Sequence, residues 1–197
     1  MTKAMLWTHC LRHGPAGVAL MVALFGFVAA LQFTMPAEMP VLLPFSESYY
    51  ARTLAATDSD RRIDLARKTV SAAPGRAENW LLLAFAYQQK DEALSERVLD
   101  ALRRSYSVGP FSPDAHDWRL SYIFSNWGAM PADLKASAMA EADTYATRYT
   151  GLVYIKDLAP MLVDNEGRIA LGLVALTHDR ASESARRVAE YKANNPE

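Results

Sequence analysis

From Gly14 to Ala37 the chain carries no charged side chain, and the part from Ala16 to Phe33 is close to pure hydrocarbon. A helix needs about 20 residues to cross the roughly 30 Å of a lipid core, whereas a core helix of a water-soluble domain keeps a polar stripe. Residues 14–36 are therefore read as a transmembrane helix. Lys3 and Arg12 precede it without an acid, and the first charge after it is Glu38. The positive-inside bias then makes residues 1–13 a cytoplasmic tail and puts the rest of the chain in the periplasm, beyond a bacterial inner membrane. A cleaved signal peptide is the alternative, because Val28, Ala29 and Ala30 offer a cleavage site. Either reading exports the body of the chain. Cys10 lies ahead of the apolar run and reads as a reduced cytosolic thiol rather than a lipid-attachment site.

Pro36, Pro40 and Pro44 stop this helix and stiffen residues 37–45 as an extended spacer. The remainder, 46–197, is long enough for one domain with its own core. It must hold by packing, since one cysteine makes no internal disulfide and four scattered histidines build no closed zinc site. A hydrophobic content of 51% excludes disorder. The balance of 21 Lys plus Arg against 22 Asp plus Glu, with the signs intermixed, leaves no basic footprint for nucleic acid.

Periodicity in 46–197 is helical. Asp58, Ser59 and Asp60 are cap-type residues ahead of Ile63, Ala66 and Val70, and Pro74 with Gly75 closes that segment. Trp80 to Tyr87 is unbroken apolar sequence whose leucines and alanines favour a buried helix over a buried strand. Asp91 is expected to cap an amphipathic helix with Leu94, Val98, Ala101 and Leu102 on one face and Glu96, Arg97, Asp100 and Arg103 on the other. Gly109 and Pro110 end it; further helices are expected around Trp118 to Trp127 and from Pro131, the latter carrying Leu134, Ala138, Ala142, Tyr145 and Tyr149 at helical spacing. Residues 150–178 suit either a β-hairpin turning at Asp164 to Gly167 or two helices. Helical spacing of Leu158, Leu162, Leu171 and Val174, and the poor stability of a lone hairpin, favour helices, with a last one from Arg180 to Ala193. The expected class is all-α: an N-terminal transmembrane helix, then antiparallel helical hairpins.

Pro74 is followed by Trp80, Leu83, Ala84 and Tyr87, which resembles the end of one tetratricopeptide repeat and the W-x-x-L-G-x-x-Y first helix of the next, with Ala in place of the small Gly. The resemblance covers Gly75 to Val108; the spacing around Pro110 and Trp118 is looser, so the domain reads as a degenerate, tetratricopeptide-like array. Such a resemblance implies a concave partner-binding groove lined by first helices. In that register Glu78, Leu81, Phe85, Gln88 and Gln89 face the groove, as do His116, Arg119, Ile123, Asn126 and Trp127 of a second repeat starting at Ala115. Amides there would bind an extended backbone and aromatics would anchor side chains. Leu81, Phe85 and Ile123 have a competing reading as core.

Catalytic patterns are absent from the sequence: it has no G-x-S-x-G, P-loop, H-E-x-x-H or G-x-G-x-x-G. His9 and His13 read as interfacial residues of the cytoplasmic flank, with Trp7 at the headgroups. His116 with Asp117 reads as a helix start, and Asp58, Asp60 and Asp64 as caps and solvated face. The doublets Arg103, Arg104 and Arg186, Arg187 suit an anionic glycan or lipid headgroup, or ordinary exposed faces. No catalytic residue, cofactor or metal is expected.

The layout of short tail, single span and degenerate repeat domain, with the runs Arg104 to Pro110 and Trp118 to Leu120, resembles small membrane proteins that accompany bacterial exopolysaccharide or O-antigen machinery. That resemblance implies a scaffold whose partners are other envelope or membrane proteins and the bilayer held by residues 14–36. The alternative is an accessory single-span subunit of an inner-membrane complex, since Gly14, Gly17, Gly26, Ala29 and Ala30 allow close helix approach. A glycan-acting enzyme using unpaired carboxylates is a third reading.

Overall fold

The structure, a computed structural model, describes residues 19, 22–28, 30–31, 45–92 and 94–194. Most of the expected transmembrane segment 14–36, the tail 1–13 and the spacer 37–44 therefore lie outside the described residues. Within that segment residues 22–28 are helical, with Val22, Leu24, Phe25 and Phe27 exposed. Among the described residues no helix is long and apolar enough to cross a membrane.

The described residues form helices and no strand. The chain divides into two compact units, Met1–Ala73 and Pro74–Glu197. The division falls at the break marked by Pro74 and Gly75, inside the span expected to be a single domain.

In the first unit α1 (Ser46–Ala55) and α2 (Ser59–Ala72) pack as a hairpin. Asp58 caps α2 as expected, its carboxylate accepting from the Arg61 N–H at 2.7 Å. Ile63, Leu65, Ala66 and Val70 are buried at helical spacing. The buried hydroxyls of Thr53 and Thr69 donate to the carbonyls of Tyr49 and Leu65, four residues back, so neither is left unsatisfied.

The second unit starts with the hairpin of α3 (Ala77–Asp91) and α4 (Glu96–Val108). The Trp80 indole N–H donates to the Pro74 carbonyl at 2.8 Å, which gives the proline-to-tryptophan spacing its physical meaning: the ring ties the entering turn to the helix. Asp91 does not cap α4. It ends α3, and its carboxylate accepts from the Ser95 hydroxyl at 2.6 Å and pairs with Arg97; the helix starts only after Ser95. Glu92 turns the chain there in the left-handed region, at φ 53.

Then come α5 (His116–Ser125), a 3₁₀ turn Trp127–Ala129, α6 (Ala132–Ala146), α7 (Tyr149–Leu158), a second 3₁₀ turn Ala159–Met161, and α8 (Asn165–Asn194). Helices α5 to α8 pack on one another, and α4 touches α6. Tyr149, expected in α6, opens α7 instead. The ambiguous stretch is helical, but not as two helices and a separate last one. Ile169 to Ala193 belong to one 30-residue helix, because nothing between His178 and Arg180 breaks it. The supposed turn at Asp164 to Gly167 is that helix's start: Asp164 accepts from the Gly167 N–H at 2.9 Å and from the Gly128 N–H at 2.8 Å. Two glycines permit close approach. A Cβ on Gly151 would stand 2.0 Å from the Tyr145 carbonyl oxygen, and one on Gly167 would stand 1.9 Å from that of Phe124.

Candidate functional site

A charged group lies at the centre of the second unit. Arg119 on α5 is 0% exposed and Glu141 on α6 is 2% exposed, each set directly between two apolar neighbours in its helix. The guanidinium Nε donates to one Glu141 oxygen at 3.1 Å, and an Nη–H reaches the other. The remaining N–H groups donate to the Ser105 hydroxyl at 3.1 Å and to the Gly109 and Pro110 carbonyls at 2.9 and 3.0 Å. Every donor of the fork has an acceptor, which is the condition for burying a guanidinium. Tyr106 closes the group, donating its hydroxyl to Glu141 at 2.9 Å while its ring lies 4.1 Å beneath the guanidinium carbon. Burial pushes the Glu141 carboxyl up, and the Arg119 and Tyr106 contacts oppose it; burial also raises the Tyr106 phenol.

This arrangement joins α4, the chain after it, α5 and α6 at one point. With its donors and acceptors spent on each other, the cluster fixes helices and offers no open coordination to a substrate.

Around it α5 presents aromatic rings. The His116 ring lies 3.9 Å from that of Tyr145, which lies 5.9 Å from Tyr154. The Tyr154 hydroxyl donates to the Asp117 carbonyl at 2.9 Å, and its phenol is pushed up to about 12 by burial and by the Asp117 charge. Trp118 stacks on Tyr122, and Phe124 on Trp127, each pair at 4.7 Å; the Lys135 ammonium stands 5.5 Å from the Trp127 ring. The Tyr122 hydroxyl is buried without a hydrogen-bond partner among the described residues, and burial raises it to about 12.

The residues expected to line a groove separate into two sets. On α3, Leu81 is buried, Phe85 and Gln88 are half-buried and Gln89 is exposed. Glu78 is half-buried and paired with Arg76 at 2.5 Å. On and after α5 the outcome differs. Arg119 is not a groove residue but the interior guanidinium just described, held there because its neutralising carboxylate comes from α6. Ile123 is core. Asn126 donates its amide to the Tyr122 carbonyl at 2.8 Å, finishing the helix, and Trp127 is half-buried against Phe124. Helices α3 and α5 are not among the closely packed pairs, so the two sets do not share one tightly built wall.

The other singled-out charges are engaged locally. Asp64 pairs with Lys68 at 2.7 Å; Arg103 bridges Asp100 at 3.0 Å and Asp133 at 2.7 Å; Arg187 pairs with Glu183 at 2.5 Å. Among the described residues no three His, Cys, Asp or Glu gather as a metal site, and His9, Cys10 and His13 lie outside them. Sequence reasoning passed over Tyr106 and Glu141. The signal for the pair was an Arg between Trp118 and Leu120 and a Glu between Ala140 and Ala142, which folding resolves by pairing them. No family model, curated protein or solved structure matches the chain.

Proposed function

We propose that this chain is a protein-interaction scaffold of the bacterial envelope: helical hairpins in the periplasm, tethered to the inner membrane by residues 14–36, that recruit or brace other envelope or membrane proteins. Polysaccharide synthesis or export is the assembly whose small membrane proteins the layout resembles. The observation that carries the reading is the pairing of a rigid frame with an available surface. The Arg119 and Glu141 group fixes three helices against one another, while α3 brings Glu78, Phe85, Gln88 and Gln89 to the outside along its length. A half-buried aromatic beside amides is suited to seating a partner's side chain and its extended backbone. The tetratricopeptide-like reading of Gly75 to Val108 agrees with the hairpin of α3 and α4.

Mild-detergent affinity purification from native membranes tests it. A co-purifying envelope protein is expected, lost on Phe85→Ala or Gln88→Ala while the helical circular dichroism is unchanged. Protease added to spheroplasts is expected to digest the region beyond residue 45; full protection there would overturn the topology. The second reading, an accessory subunit packed through its span, draws on the apolar side chains of residues 22–28 and on Gly26, where a Cβ would meet no atom of the described residues within 4 Å. It is distinguished by co-purification that needs residues 1–36 and survives both substitutions.

A further inference from the structure

Helix α8 has two apolar faces. One carries Leu171, Val174 and Ala175, buried against the rest of its unit. The opposite face carries Ile169, Leu173 and Leu176, which stand 63%, 57% and 44% exposed, one turn apart along the axis. Three large aliphatic side chains in a row on the outside of a helix call for a cover.

The charges flanking this stripe say what the cover is. Glu166 lies seven residues before Leu173 and Arg180 seven residues after it, both on the stripe's side of the helix. Neither side chain has an ion-pair partner among the described residues, although Asp179 next door is held by Lys156 at 3.2 Å and Arg187 by Glu183. An acid and a base placed equally far either side of a central leucine form a self-complementary pattern. Rotating the helix by half a turn about an axis through Leu173 brings Glu166 of one copy to Arg180 of the other, twice, and lays aliphatic on aliphatic between them.

We propose that α8 is a homodimerisation helix, pairing antiparallel with α8 of a second copy about a two-fold axis near Leu173, with Ile169 and Leu176 buried beside it and the Glu166 and Arg180 pairs closing both ends. The helix is 30 residues long, and beyond Arg180 it is exposed at 181–191, 193 and 194, so the partner helix meets no obstruction from these residues. A bilayer surface is the poorer occupant, because the stripe ends in an acid on one side and is not bordered by a basic rim. The pairing is independent of the α3 surface and of the membrane tether.

The test uses the full chain in mild detergent with Cys10, its one cysteine, changed to Ser. Leu173→Cys is expected to give a covalent dimer on mild oxidation. A mixture of Glu166→Cys and Arg180→Cys chains is expected to cross-link, whereas neither does so alone, since equal positions are about 20 Å apart in the antiparallel pair. In light scattering the unsubstituted chain has the dimer mass. Leu173→Asp and Glu166→Arg each weaken the dimer at least about tenfold, and Glu166→Arg with Arg180→Glu restores it. A monomer at about 100 μM would overturn the proposal, as would self-cross-linking of Glu166→Cys, a dimer indifferent to Leu173→Asp, or a monomer that loses binding to anionic vesicles on Leu173→Asp.

Discussion

Arg119 and Glu141 bring opposite charges into the buried interior, where each is tolerable only because of the other. Removing one partner from such a pair costs about 3–5 kcal/mol, because the survivor stays buried and unneutralised, whereas replacing both with apolar side chains costs far less. Urea unfolding of Glu141→Gln is expected to show a loss of about 3 kcal/mol, and Arg119→Met with Glu141→Leu to recover more than half of it. A single substitution as mild as a surface change, within about 0.5 kcal/mol, would mean that the group holds nothing together. Gly167 is the steric counterpart. Its missing Cβ lets the first turn of α8 press on the end of α5, with the Phe124 carbonyl only 1.9 Å from where a methyl would go. Gly167→Ala is expected to lower stability by about 1–3 kcal/mol through forced backbone movement, measured in the same unfolding experiment. Neither role could be read along the chain, since Glu141 lies 22 residues from Arg119 and Gly167 still farther from Phe124.

Helix α8 shows how one residue sets an element's start. Asp164 accepts the Gly167 and Gly128 N–H groups, and these two bonds hold its carboxyl below the ordinary value of 3.8. A carboxyl lowered on folding contributes stability that is complete above its unfolded value and is lost as pH falls through the folded one. The melting temperature of the unsubstituted chain is therefore expected to fall more steeply between about pH 5 and about pH 2 than that of Asp164→Asn, which keeps an acceptor and carries no charge there. Superimposable profiles would remove Asp164 from the pH response. The same element marks the limit of local patterning. Asp164 to Gly167 has turn chemistry, and a helix start and a hairpin turn draw on the same residue types. In α7 the run from Leu152 to Ile155 has the composition of a strand, but Gly151 lets it cross tightly over Tyr145 and Ile155 is buried as a helix residue.

Among the described residues, stability resides in buried apolar side chains and in buried polar groups such as Arg119 with Glu141, rather than in the exposed ion pairs. Pairs such as Lys68 with Asp64, Arg103 with Asp133 and Lys156 with Asp179 are more than a third exposed on both sides and contribute about 0–1 kcal/mol each. Raising salt from about 0.05 M to about 0.5 M is expected to move the melting temperature of the detergent-solubilised chain by less than about 3 °C; a larger fall would put the stability on the surface. What the sequence by itself determined is the helical class and most of the breaks: the caps at Asp58 and Pro131, the stop at Pro74 and Gly75, and the spacing of Val98, Ala101 and Leu102. These depend on interactions within a few residues, which local order encodes. Tertiary structure alone decided that Arg119 turns inward and that Ile169, Leu173 and Leu176 are left outside. A helix's apolar positions show that it has faces to bury, but which face its own chain covers depends on helices distant in sequence.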